Sequence, residues 1–145
     1  MTTISPQALR TTLIGTGEFA LLDVREQGAF SESHLLFAVC TPFSRLELLL
    51  ADLVPLKTTE VILVDEAGEP DGTGSRAADR LATLGYTRVA RLEGGVAGWS
   101  AAGFELFSGV NVPSKAFGEF VEQTYETPRL PAAEVKAMLD SGRDM

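Results

Sequence analysis

The sequence predicts an α/β domain with a mainly parallel sheet of about five strands flanked by helices. Three observations predict it. Short β-favouring runs, Phe19 to Val24, Phe37 to Cys40, Val61 to Val64 and Val89 to Leu92, alternate with segments of helical periodicity. The runs are apolar without strict alternation, as strands covered on both faces are. Glycine and proline fall between the segments, where breaks belong.

Each helical segment has its own signature. Pro6 to Ile14 follows Ser5, a helix-starting residue with proline at the first position. Ser44 to Leu53 places Leu46, Leu49, Leu50 and Leu53 on one face, and Ser75 to Leu84 does the same with Ala77, Leu81 and Leu84. Gly85 stops the second of these. Val96 to Ala102 ends at Gly103, and Ser114 to Tyr125 reads as an amphipathic helix carrying Phe117, Phe120 and Val121. In such sheets ligand sites lie at the carboxyl ends of the strands, so the residues after each strand carry the functional question.

Composition narrows the classes. The 145 residues, 45% of them apolar, suffice for one domain with a core plus an appendage. Twelve Lys and Arg against 20 Asp and Glu give a net charge of −8, which repels nucleic acid and anionic membranes. The start, Met1 to Pro6, lacks a basic and apolar leader, and no apolar run approaches the roughly 18 residues of a membrane span. A single cysteine, Cys40, excludes an internal disulfide and suits a reducing compartment, so a cytoplasmic location is expected.

Three segments, in this order and spacing, resemble the rhodanese family: Leu21-Leu22-Asp23-Val24-Arg25-Glu26 with Phe30 and His34; Val61-Ile62-Leu63-Val64 leading into a Gly-rich loop and helix; and Leu92-Glu93-Gly94-Gly95-Val96-Ala97-Gly98-Trp99 before Ala102-Gly103. The likeness covers residues 4 to 107. It is nearest to the opening module of bacterial multi-domain rhodaneses, which continue through a segment like Asn111 to Phe117. The resemblance implies a rhodanese-like α/β fold and the transfer of sulfane sulfur from thiosulfate to a thiophilic acceptor. It implies no cofactor and no metal.

In that family a cysteine ends the strand before the Gly-rich loop, whose backbone N–H groups stabilise a thiolate and then a persulfide. Counting forward from the strand gives Asp65 at the cysteine position, and counting back from Ala77-Ala78 gives Gly68. Neither is cysteine, and the mismatch implies a loop longer than the family's compact one. The vestigial active-site loop would comprise Asp65, Glu66, Gly68, Gly72, Gly74, Ser75 and Arg76. Asp65, Glu66, Glu69 and Asp71 are acids where thiosulfate, a dianion, would approach, with Arg76 as the only cation opposing them. A carboxylate at Asp65 is expected to fill the amide nest as a built-in anion. The related phosphatase chemistry fails for the same want of a cysteine and a cationic loop.

Other groups have simpler readings. Cys40 ends a strand before Thr41-Pro42, where a cysteine behaves as an inert small hydrophobe, although it is the one candidate for a substitute sulfur carrier. His34 and Asp23 invite a general-base reading, but a histidine without a nucleophile is more often a satisfied hydrogen-bonding residue. Asp23, Arg25, His34, Gly94, Gly95 and Trp99 are therefore taken as family-matched scaffold. The acidic stretch Asp65 to Gly72 is no EF-hand, so its carboxylates are read as solvated turn acids and no metal site is expected.

The last segment resembles the first. Setting Ile4 against Leu130 aligns Leu9 with Val135, Leu13 with Leu139 and, within a residue, Gly15 with Gly142. The expected organisation is thus a rhodanese-like domain over 1–107, a linker with a helix over 108–129, and over 130–145 the start of a second rhodanese-like domain cut at Met145. Two functions follow: a non-catalytic module of a multi-domain thiosulfate sulfurtransferase, or an active sulfurtransferase using Cys40 or a downstream cysteine. Expected partners are downstream rhodanese domains of the same parent chain and, in that parent, thiosulfate-type small anions.

Overall fold

The computed structural model describes residues 2–110, 112–125 and 130–142. Met1, Asn111, the linker residues 126–129 and residues 143–145 lie outside that description. The chain divides into two compact units, Met1–Val112 and Pro113–Met145.

The first unit is an α/β layer structure. Its strands are β1 (Thr2–Ile4), β2 (Phe19–Asp23), β3 (Val39–Cys40), β4 (Glu60–Val64) and β5 (Val89–Leu92). All pair in parallel, in the order β1-β5-β4-β2-β3. Helices α1 (Pro6–Leu13), α2 (Gln27–Glu32), α3 (Leu46–Leu53) and α4 (Thr73–Thr83) connect them, and α5 (Gly95–Ala101) follows β5. A 3₁₀ turn, Phe43–Arg45, leads into α3.

Local chemistry explains the boundaries. Ser5 Oγ accepts a hydrogen bond from Ala8 N at 3.2 Å, and Pro6 opens α1 where no backbone donor is needed. The central strand β4 is buried along Val61 to Val64, because both of its faces are covered by helices. One core, around Leu22, Leu50, Leu63, Ala77, Leu81 and Tyr86, lies under α3 and α4. The other, around Leu9, Leu21, Phe30, Ile62, Leu92 and Trp99, lies under α1, α2 and α5.

Four points differ from expectation. β1 carries no run of apolar residues, only Thr2, Thr3 and Ile4, and exists because β5 offers it a partner, as in Thr3 beside Arg91. The expected strand from Phe37 shrinks to Val39–Cys40, since a turn closed by Ala38 N donating to Leu35 O at 3.0 Å occupies the preceding residues. β3 is an edge strand and is not covered on both faces: Val39 is exposed and Cys40 half-buried. The helix expected from Ser75 starts earlier, at Thr73.

In the second unit, α6 (Val112–Tyr125) continues across the unit boundary and α7 (Ala132–Asp140) follows. Phe117 and Phe120 on α6 and Leu139 on α7 are exposed.

Core burial gives a direct test. Leu81→Ala should cost about 2–5 kcal/mol, read as a lowered urea midpoint, because Leu81 is completely buried. Leu48→Ala, on the exposed side of α3, should stay within about 0.5 kcal/mol of the parent. Equal effects would contradict this assignment of faces.

Candidate active-site loop

The carboxyl edge of the sheet is built from the ends of β2, β3, β4 and β5. β4 ends at Val64, and the next residue, Asp65, turns its side chain back into the loop that runs to Gly72. The loop and the turn after β5 are stitched together: Val96 N donates to Asp65 O at 2.9 Å and Ala97 N to Glu66 O at 3.0 Å. The open N–H groups of α5 thus find their acceptors in the loop.

The Asp65 carboxylate is buried and uses both oxygens. Gly68 N donates to Oδ1 at 2.6 Å, and Gly74 N, in the first turn of α4, donates to Oδ2 at 3.0 Å. The anion sits where the helix dipole and two backbone donors favour negative charge. Gly74 is required by this approach, since a Cβ there would lie 2.5 Å from Oδ2. Gly68 is required too: its φ is +66°, and an added Cβ would meet Gly94 N at 2.6 Å. Of the two candidate cysteine positions, only 65 therefore has room for a side chain.

The other loop residues have separate partners. Gly72 N and Ser75 Oγ donate to Glu69 O at 3.1 and 3.2 Å. Gly74, Ser75 and Arg76 belong to α4 and not to the loop. Arg76 is not the cation that faces the loop acids: its guanidinium lies over the Phe43 ring at 4.6 Å. That task falls to Arg25, which reasoning from the sequence treats only as scaffold. Its Nη1 donates to Glu66 Oε2 at 2.9 Å, its Nη2 to Asp23 Oδ2 at 2.8 Å and to Ser33 O at 2.6 Å, and its Nε to Asp23 Oδ1 at 3.0 Å. Burial works against the Arg25 charge, but the bonds and charges of Asp23 and then Glu66 outweigh it, so its proton is held more tightly than usual. A pairing over 41 residues leaves no local spacing by which it could be read.

The remaining scaffold residues hold backbone. His34 is buried, stacks on Phe30 at 4.0 Å and pairs through Nδ1 with Phe30 O at 2.9 Å, while its backbone bridges to Phe107. Trp99 donates from Nε1 to Glu105 O at 3.0 Å and packs on Phe104. Gly94 and Gly95 form the turn that opens α5 under the loop. Cys40 sits in register with Asp23 at the same edge of the sheet. Burial raises its thiol pKa, and the charges of Asp23 and Glu26 raise it further against an opposing effect of Arg25. Among the described residues, no group of three or more His, Cys, Asp and Glu side chains is arranged to hold a metal ion. None of their helices is long and apolar enough to cross a membrane.

Comparison with known proteins gives a consistent picture. The family model described as Rhodanese-like domain matches residues 5–102. A thiosulfate sulfurtransferase from Pseudomonas aeruginosa superposes with a TM-score of 0.88 and 47% identity, over 97% of this chain and 26% of its own. The present chain thus spans about a quarter of that protein's length. A rhodanese-like domain from Anabaena sp. matches with a TM-score of 0.56 and 26% identity, over 70% of this chain and 96% of its own. A rhodanese-like domain protein from Staphylococcus aureus shares the fold, with a TM-score of 0.62 and 20% identity over 74% of this chain and all of its own. No curated protein matches the chain.

The site geometry makes two predictions. Asp65→Ala strands the Gly68 and Gly74 N–H groups and should destabilise by roughly 1–3 kcal/mol in chemical denaturation, whereas Asp71→Ala, at an exposed position, should change stability by less than about 0.5 kcal/mol. For Cys40, burial and the nearby carboxylates push the thiol pKa up, so the thiolate forms less readily than in free cysteine. Its alkylation by iodoacetamide should reach half-maximal rate at a higher pH than free cysteine, and a midpoint at or below that of free cysteine would show an activated thiol.

Proposed function

This chain belongs to the rhodanese-like domain family, and we propose that it is a module of that family without sulfurtransferase activity of its own, working within a longer multi-domain thiosulfate sulfurtransferase. The observation that carries the proposal is the Asp65 carboxylate. It follows β4 directly, where the family's nucleophile stands, and both its oxygens are engaged by the amides of Gly68 and Gly74.

Sulfur transfer requires a nucleophile that accepts a sulfane sulfur, carries it as a persulfide and releases it to an acceptor. A carboxylate oxygen forms no such bond, and here it fills the space in which the anionic sulfur would be stabilised. The surroundings act in the same direction. Glu66, Glu69 and Asp71 are exposed on the loop, and of the cations that reach it among the described residues, Arg25 is already paired with Asp23 and Glu66 and Arg91 donates to the Glu69 carbonyl at 3.1 Å. A thiosulfate dianion approaching this loop meets net negative charge.

The alternative carrier, Cys40, has a thiol whose pKa burial and two carboxylates push up, which disfavours it as a nucleophile. The proposed partners are further rhodanese-like units of the same parent chain. Support for this comes from α7, which begins at the position aligned with the start of α1, Ala132 against Pro6. Its Leu139 is exposed where the matching Leu13 packs against a core. A cytoplasmic setting fits the lone free thiol.

Thiocyanate formation from thiosulfate and cyanide tests the reading. The chain and its Cys40→Ser variant should both show no turnover above the uncatalysed rate; turnover that Cys40→Ser abolishes would overturn it. Asp65→Cys is also expected to stay inactive, because the acids around the loop remain. Recovered activity would show that the missing nucleophile alone accounts for the loss.

A further inference from the structure

The side of the sheet that carries α1 and α5 has a surface that the reading above leaves unused. A groove of about 370 Å³ runs there, and its walls include Leu13 of α1, Leu36 and Phe37, and Phe104 and Phe107 of the segment after α5. No residue of the Asp65 loop lines it. Leu36 and Phe37 are the two central residues of the tight turn that Ala38 N closes on Leu35 O at 3.0 Å. The tips of such turns ordinarily carry glycine, proline or small polar residues. Here the tip carries a phenylalanine that is 57% exposed. A projecting aromatic beside a groove walled by two more is the pattern of an interface anchor and its pocket.

The groove also carries one charge of each sign. Arg10 comes from α1 and Glu105 from the segment after α5; both line the groove and both are exposed. Neither side chain enters an ion pair among the described residues. A surface with an unpaired cation and an unpaired anion contributed by different elements is its own electrostatic complement. Turned about a two-fold axis, a second copy sets its Glu105 against Arg10, its Arg10 against Glu105 and its Phe37 against the groove.

The geometry points to a second copy of this chain as the occupant of the groove, the two copies exchanging Phe37 as a knob and joined at the rim by two reciprocal Arg10–Glu105 pairs. A further unit of a parent chain would fit only if it carried both charges in the matching places, whereas a second copy carries them by identity. The apolar centre supplies most of the attraction and the rim sets the orientation, because exposed ion pairs are individually weak. The net charge of −8 opposes association at long range. Exposed charges more than about 8 Å apart are largely screened at physiological salt, so the pairs at the rim outweigh it. The Asp65 loop takes no part, so the proposal stands or falls apart from the question of sulfur transfer.

Sedimentation of the full chain over a range of concentrations tests this. A monomer–dimer equilibrium is expected, half-associated below about 1 mM. Arg10→Glu and Glu105→Arg each place like charges together at both ends of the interface, since the symmetry applies every substitution twice, and each should weaken association by about tenfold or more. The double variant restores opposite charges and should return to within about threefold of the parent. Phe37→Glu should also weaken association by about tenfold or more. All three positions are exposed, so the variants should keep the fold, which circular dichroism checks. A chain that stays monomeric throughout, a dimer indifferent to the single charge reversals, or a double variant no better than either single one would each overturn the proposal.

Discussion

A buried carboxylate must find donors for both oxygens, and at Asp65 the backbone supplies them. Gly68 and Gly74 approach from opposite ends of the loop, so the same anion closes the loop on itself and fixes the first turn of α4. The Asp65 and Glu66 carbonyls in turn accept from Val96 and Ala97 at the start of α5. Two helices and the central strand therefore meet at one residue. The local glycines follow from it, because a side chain at 74 would occupy the space of the carboxylate and one at 68 would strike the turn before α5.

Around that anchor, charge is distributed so that little of it is free. Arg25 spends its donors on Asp23, Glu66 and the carbonyl of Ser33, which ties the end of β2 to the loop after β4 and to the end of α2. A buried cation of this kind is held in place by its partners, and most of its donors are committed before any anion arrives. Burial first, and then the same carboxylate of Asp23 that satisfies Arg25, push up the pKa of the neighbouring Cys40 thiol. One ion cluster thus ties the carboxyl edge together across three elements.

How much of this is legible in the sequence depends on whether the signal is local. β2, β4, β5 and most helices are legible because apolar spacing and capping residues such as Ser5 and Pro6 record them within a few positions. β1 is not, since Thr2 to Ile4 has no pattern of its own and becomes a strand only through pairing with β5. Phe37 misleads because an apolar residue beside a short edge strand resembles one within it. In the loop, the acids and glycines are legible by type, while the choice between Asp65 and Gly68 depends on φ and on the approach of Gly94. Arg76 and Arg25 are equally basic on paper, and only the fold shows that one lies on Phe43 and the other bridges to Glu66.

The position of β1 has a consequence for how the unit comes into being on the ribosome. The unit's first strand pairs with its last, Thr2 beside Ala90, and its hydrogen bonds to the sheet wait for nearly all of the unit to be made. Until then β5 has a bare side and the N-terminal segment has no place to dock. Closing so long a loop is entropically slow, so assembly of the unit should be limited by this last pairing, with β2 and β4 already joined. In a polypeptide carrying several such units in series, each leading segment would remain unpaired while its own fifth strand is still being synthesised, and that interval is when a neighbouring unit's open edge is its nearest competitor.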